Sequence, residues 1–263
     1  KHRLPATRLS SAATANARPA NRLLQLAEEF ADALTSRVSR VVNLTTPFSA
    51  IAAGSDTKGR VSIAVTDALL RQLSIPLTVN GTRRLLLFVK IQCCWDRSSD
   101  YLAVDQSFIH VRIADKYRDE PLFRYEFLRE PTPAVPAAHL QVHGHRDEFV
   151  YLLLTGDTPR GRRRVVKDSV ARLAEFHFPL GGHRFRPCLE DVLEALANEF
   201  GIDVKDGWRE AIREGREEWR RMQLRAAVRD APRDVAEVLR SMGYEVIDPA
   251  EPPADRLDRL QSF

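Results

Sequence analysis

The chain has 263 residues, of which 44% are hydrophobic and 29% charged, the balance of a globular protein long enough for one large domain and its appendages. No apolar run approaches the ~20 residues of a spanning helix, which argues against a membrane protein. Lys and Arg number 40 against 36 Asp and Glu, a net charge of +4 that does not by itself specify nucleic acid.

Residues 1–18, rich in Ala, Ser, Thr and Arg, read as a disordered basic tail. From Asn21, the expected N-cap, Leu23, Leu26, Phe30, Leu34 and Val38 fall on one helical stripe. Pro47 and the glycines Gly54 and Gly59 break it. Val61, Ile63 and Val65 then alternate as a strand, and residues 67–73 suit a short helix. Asn80-Gly81 is a strong hairpin signal, with a long return strand through Leu85, Leu87, Val89, Ile91, Cys93 and Trp95.

Ile109, Val111 and Ile113 mark the next strand, and Phe123, Tyr125 and Phe127 another. Pro131, Pro133 and Pro136 form a stiff connector into a histidine strand, followed by residues 149–154 as strand or helix. After the basic run Arg160, Arg162, Arg163 and Arg164, residues 173–180 return as a strand holding His177. Gly181-Gly182 makes a turn, Pro187 opens a helix whose apolar face is Leu189, Val192, Leu193, Leu196 and Phe200, and Gly201 ends it.

Residues 205–229 read as a charged helix with sparse anchors Trp208, Ile212 and Trp219 and an i,i+4 pair Glu217–Arg221. A last helix over 234–242, an edge strand over 244–247 and an acidic tail over 249–263 are expected to follow. The expected class is α+β: an antiparallel meander with an Asn-Gly hairpin, packed by the N-terminal helix and by a helix at about 188–200. The core domain is expected over 19–204, with a helical appendage over 205–248. Cys93, Cys94 and Cys188 lack CxxC spacing and read as buried thiols of a cytoplasmic protein.

Chemistry concentrates in the run from His139 to Arg146. On a strand, His139, Gln141, His143 and His145 share one face while Leu140 and Val142 face a core. His143 and His145, about 7 Å apart at Cα, could grip one divalent transition metal, with His110, His177 or His183 as third ligand. His139 is about 13 Å from His143, too far to join them. The second constellation is the glycine turn: Gly181, Gly182 and Arg186, beside Arg184 and a helix N-terminus, suit a phosphate.

Together the two stretches could cleave RNA without a cofactor. One imidazole would take the 2′-OH proton, another would protonate the leaving oxygen, and arginines would hold the phosphorane. His143, His145, His183 and Arg184 are the expected catalytic groups, with His139 and Arg146 next. No nucleophile elbow, P-loop, dinucleotide fingerprint or HExxH occurs.

The segment Phe123–Arg129, the proline connector, His139 and His143, and the later Leu189-Glu-Asp-Val-Leu193 resemble the TumE-type toxins of bacterial toxin–antitoxin pairs. The likeness spans at most residues 105–200, with 147–172 added between histidine strand and helix. It implies an RNA-directed bacterial toxin and a cognate antitoxin, for which residues 205–229 are the expected docking helix. A second pattern, His143-x-His145 with Glu148 and Gly156, then Pro179-x-Gly181-x-His183, is similar to the two cupin metal motifs. It implies His143, His145, Glu148 and His183 as ligands, with both spacings one residue short. A non-enzymatic binding or regulatory module is the third expectation.

Overall fold

The computed structural model describes residues 12–52, 59–96, 101–114, 120–132, 135–144, 178–180 and 184–262, with side chains from residue 22 onward except those of 178 and 179. A helix, α1 (Ala12–Val41), precedes eight strands: β1 (Phe48–Ala52), β2 (Val61–Val65), β3 (Ile75–Val79), β4 (Thr82–Trp95), β5 (Leu102–Ile113), β6 (Phe123–Leu128), β7 (Ala138–Val142) and β8 (Phe178–Pro179). Four helices close the described chain: α2 (Leu189–Phe200), α3 (Trp208–Asp230), α4 (Pro232–Ser241) and α5 (Leu257–Leu260). The strands form one antiparallel sheet in the order β1-β2-β4-β5-β6-β7-β8. β4 is long enough to pair with β3 through its first half and with β2 through its second, along the same edge. The expected α+β meander is what the chain forms.

Burial of one sheet face drives the assembly. Leu23, Ala27, Ala31, Leu34, Val38 and Val41 recur every three or four residues on α1, all fully or nearly buried. They pack with Ile63 and Val65 of β2, Leu85, Leu87 and Val89 of β4, and Ile109 and Val111 of β5. Burying each such Leu, Ile or Val contributes about 1.5–3 kcal/mol. Leu189, Val192, Leu193 and Leu196 of α2 join the same cluster. The β3–β4 turn has Asn80 and Gly81 at φ 50° and 74°, both left-handed as a two-residue hairpin turn requires. Asp203, just beyond α2, accepts both turn N–H groups at 2.9 and 2.8 Å and pins the hairpin to the helical layer.

Five expectations change. The helix begins at Ala12, inside the expected tail, where the alanine-rich run favours it. Residues 67–73 form a turn, because the Asp67 carboxylate accepts the N–H groups of Leu69 and Arg71 at 2.9 Å and competes with helical bonding. The core does not stop at 204: Trp208, Ala211 and Ile212 are buried in it, so α3 is rooted in the domain. Residues 244–247 join no strand, and Tyr244 and Ile247 are exposed. The C-terminal stretch docks, with Arg259 donating to the Arg129 carbonyl at 2.7 Å and the Arg256 N–H to the Asp230 carbonyl at 2.7 Å. The expected Glu217–Arg221 pair forms at 2.8 Å. Residues 149–154, the 160–164 basic run and His177 lie outside the described residues.

Candidate functional site

The second sheet face is polar where β5, β6 and β7 run side by side, and the pairing register shows why. One row across the strands is Phe88, His110, Arg124 and Gln141; the next is Lys90, Phe108, Glu126 and His139. The apolar alternation of Phe123, Tyr125 and Phe127 gives the helical layer its residues from β6, so Arg124 and Glu126 must take the other side. Leu140 pairs with Tyr125 on the helical side, leaving His139, Gln141 and His143 opposite, as expected. His143 extends the ladder beyond β7, its N–H bonding the Leu122 carbonyl at 2.8 Å.

Glu126 is the hub. One carboxylate oxygen lies 2.9 Å from His110 Nε2 and 3.5 Å from Arg124 Nε; the other lies 3.3 Å from His139 Nε2. Burial alone would raise this carboxyl, but the His110 and His139 contacts and the Arg124 charge outweigh it and hold it well below the ordinary carboxylate range. Glu126 is therefore ionised near neutral pH.

His139 is fully buried, and its Nδ1 donates to the Pro136 carbonyl at 3.0 Å, since a carbonyl can only accept. With one nitrogen on backbone and the other on Glu126, the ring ties β7 to β6 and has no open side for a substrate. This corrects the expectation that His139 reacts.

His143 differs. Its Nδ1 is 2.9 Å from Glu120 Oε1, its side chain is 11% exposed, and its buried Nε2 has no hydrogen-bond partner among the described residues. A carboxylate on one imidazole nitrogen fixes ring orientation and leaves the other for proton transfer. A buried nitrogen without a partner is costly, and an incoming polar ligand atom would relieve that cost. Arg112, on the same face, donates to Ser74 Oγ at 3.0 Å.

The arginines after the glycine turn belong elsewhere. Arg184 makes a bidentate pair with Asp230, Nε to Oδ2 at 2.6 Å and an Nη to Oδ1 at 3.1 Å, and Asp230 is buried. Arg186 places its guanidinium 3.6 Å from the Phe127 ring centroid and 5.0 Å from that of Trp219. Burial, reinforced by neighbouring Arg184, lowers its pKa to about 9. Phe127 is on the helical side of β6, so the sheet separates Arg186 from the histidines.

The N-terminus of α2 does not await an anion either. Asp191 accepts from the N–H and Sγ of Cys188, the N-cap, at 3.0 and 3.2 Å, and also binds Arg216 at 2.7 Å. Of the expected cradle, Arg184 is taken by Asp230, Arg186 packs on Phe127 and Trp219, and Asp191 caps the helix end. Gly181, Gly182, His183, His145, Arg146 and Glu148 lie outside the described residues.

Among the described residues, no three His, Cys, Asp or Glu side chains converge as metal ligands. Of the cupin-type quartet only His143 is described. Burial pushes the Cys93 thiol up to about 12, with Cys94 and Asp105 adding to it, and raises Cys188 as well; both are core hydrophobes. No helix among the described residues is long and apolar enough to cross a membrane.

Sequence reasoning missed Glu126, Arg124 and Glu120 as members of the histidine face. The aromatic alternation of β6 was the available signal for the first two; Glu120 carries none. In comparison with known proteins, the chain matches no family model, no curated protein and no solved structure.

Proposed function

We propose that this protein cleaves RNA, or a related phosphodiester, by acid–base catalysis on the polar face of β5, β6 and β7. The observation that carries the reading is His143, with Nδ1 held by Glu120 and a buried Nε2 that has no hydrogen-bond partner among the described residues. In this reading His143 Nε2 takes the proton of the ribose 2′-OH. The 2′-oxygen attacks phosphorus, the bond to the 5′-oxygen breaks, and that oxygen receives a proton from His110. Glu126 occupies His110 Nε2 and leaves Nδ1 for the transfer.

Arg124 sits between these histidines, its strand flanked by those of His110 and His143, and stabilises the charge growing on the phosphorane. His110 and His143 stand two strand spacings apart and two residues offset along the strands, about 12 Å at Cα, so their long side chains can approach one phosphate from opposite sides. The resemblance to TumE-type toxins adds an antitoxin to the proposal. Leu224 and Val228, exposed on α3, are the surface it would cover.

Incubation of the purified chain with labelled single-stranded RNA tests this. Products ending in 2′,3′-cyclic phosphate are expected, with His143→Ala slowing their formation at least ~100-fold and Glu120→Gln less. Intact RNA, or an unchanged rate in His143→Ala, would overturn it.

A further inference from the structure

The polar rows continue onto β4, where the residue types change. Phe88 and Phe108 project from the same face as His110, with ring centroids 5.4 and 6.2 Å from the His110 ring. Phe88 is tilted 35° to the imidazole and Phe108 stands at 84° to it. Both phenyl rings are half-buried on the side of the sheet away from α1 and α2, and the core cluster includes neither. Their neighbours among the described residues are charged, three cations to one carboxylate, with Glu126 opposite Phe108 on β6. Lys90 is opposite Phe108 in the β4–β5 register, Arg124 is opposite His110 on β6, and Arg112 follows His110 by two residues on the same face. Here aromatic faces and cations alternate across neighbouring strands.

We propose that this face of β4 and β5 is a stacking platform for single-stranded nucleic acid. Bases lie on Phe88 and Phe108, and Lys90, Arg112 and Arg124 hold the backbone phosphates. The inference deepens the phosphodiesterase reading and rests on it for the phosphate seated at Arg124. Single strands are favoured because only unpaired bases can be splayed flat onto protein aromatics. In a duplex the base faces are stacked on one another, and only phosphates could reach Lys90 and the arginines. Lys90, Arg112 and Arg124 outnumber the Glu126 carboxylate on this face and favour a polyanion as occupant, and the rings select one with exposed aromatic faces. The platform leads strand by strand to Arg124 and His143, so a bound strand would deliver its backbone to the proposed catalytic groups.

Binding can be read apart from cleavage with a fluorescent 2′-O-methyl RNA 12-mer, which lacks the attacking hydroxyl. Its affinity for the full chain is measured by anisotropy, single-stranded and annealed to its complement. The single strand is expected to bind at least ~10-fold more tightly than the duplex. Phe88→Leu and Phe108→Leu, which keep apolar volume but lose the ring, should each weaken single-strand binding about 10-fold. Phe88→Tyr and Phe108→Tyr should keep it. Circular dichroism confirms that each variant is folded; where a Leu variant is not, Lys90→Glu replaces it and should weaken binding by a similar factor.

Equal affinity for single strand and duplex, or folded Leu variants that bind like the parent, would overturn the platform. If RNA is still cleaved in a His143-dependent way, the platform alone has failed. If the oligonucleotide binds through Phe88 and Phe108 but RNA stays intact, the catalytic reading has failed and the platform stands.

Discussion

Replacing Glu126 by glutamine keeps the shape and removes the charge on which two histidines and an arginine converge. The parent carboxylate is 13% exposed and faces His110, 21% exposed, and His139, fully covered. A hydrogen bond to a charged group contributes about 1.5–3 kcal/mol, and breaking one side of a buried ionic cluster costs about 3–5 kcal/mol. Glutamine retains one acceptor oxygen but turns an NH2 donor towards the other imidazole. The expected loss is therefore about 3 kcal/mol at pH 7, equivalent to roughly 10 °C in Tm for a chain of this size.

The pH dependence has a definite sign. The folded carboxyl is held below its ordinary value of 4.5, so its stabilising contribution is complete above that pH. The contribution is lost as pH falls below about 4.5 towards the folded-state value. Thermal unfolding followed by circular dichroism between pH 3 and pH 8 should show parent and variant furthest apart at neutral pH and converging in acid. A Tm difference below about 2 °C at pH 7, or a constant difference across the range, would refute the hub role of Glu126.

Three further outcomes are expected. Asp230→Ala strands Arg184 in a part-buried position and should cost about 3 kcal/mol, whereas the double change with Arg184→Met should recover part of it in urea melts. Gly215→Ala would drive a methyl group into the Glu190 side chain, nearest to Oε1 and 3.0 Å from both Cγ and Cδ, and should destabilise the α2–α3 contact by about 1–3 kcal/mol in the same assay. Cys93, with its thiol pushed up to about 12 by burial, should resist alkylation at pH 8 in the native protein and react in urea, as mass spectrometry of the labelled peptide will show.

The sheet and its helical cover were legible because period-two and period-3.6 patterns name the buried side directly. Asn80-Gly81 and the α2 stripe from Leu189 to Leu196 are found as read, with Phe200 exposed; on β7 the two faces alternate as read, but His139 and Gln141 are fully buried while Leu140 and Val142 are only half-buried. What a neighbouring strand puts opposite each histidine was not legible, because register depends on turns and bulges spread over the whole sheet. His139 therefore reads as reactive from its own strand alone, whereas Glu126 and Pro136 hold its two nitrogens. Arg184 read as a phosphate ligand because its partner Asp230 is 46 residues away and reachable only through the path of α3. Trp208 and Ile212 read as sparse anchors of a charged helix because charge on the outer face of α3 masks how deeply its first turns are buried.

The measurement closest to the central claim is an NMR titration of the histidine rings with the 2′-O-methyl oligonucleotide. The account predicts that His143 and His110 ring signals move on binding while buried His139 does not. Ring signals that all stay in place while the oligonucleotide binds, or a response limited to His139, would contradict it.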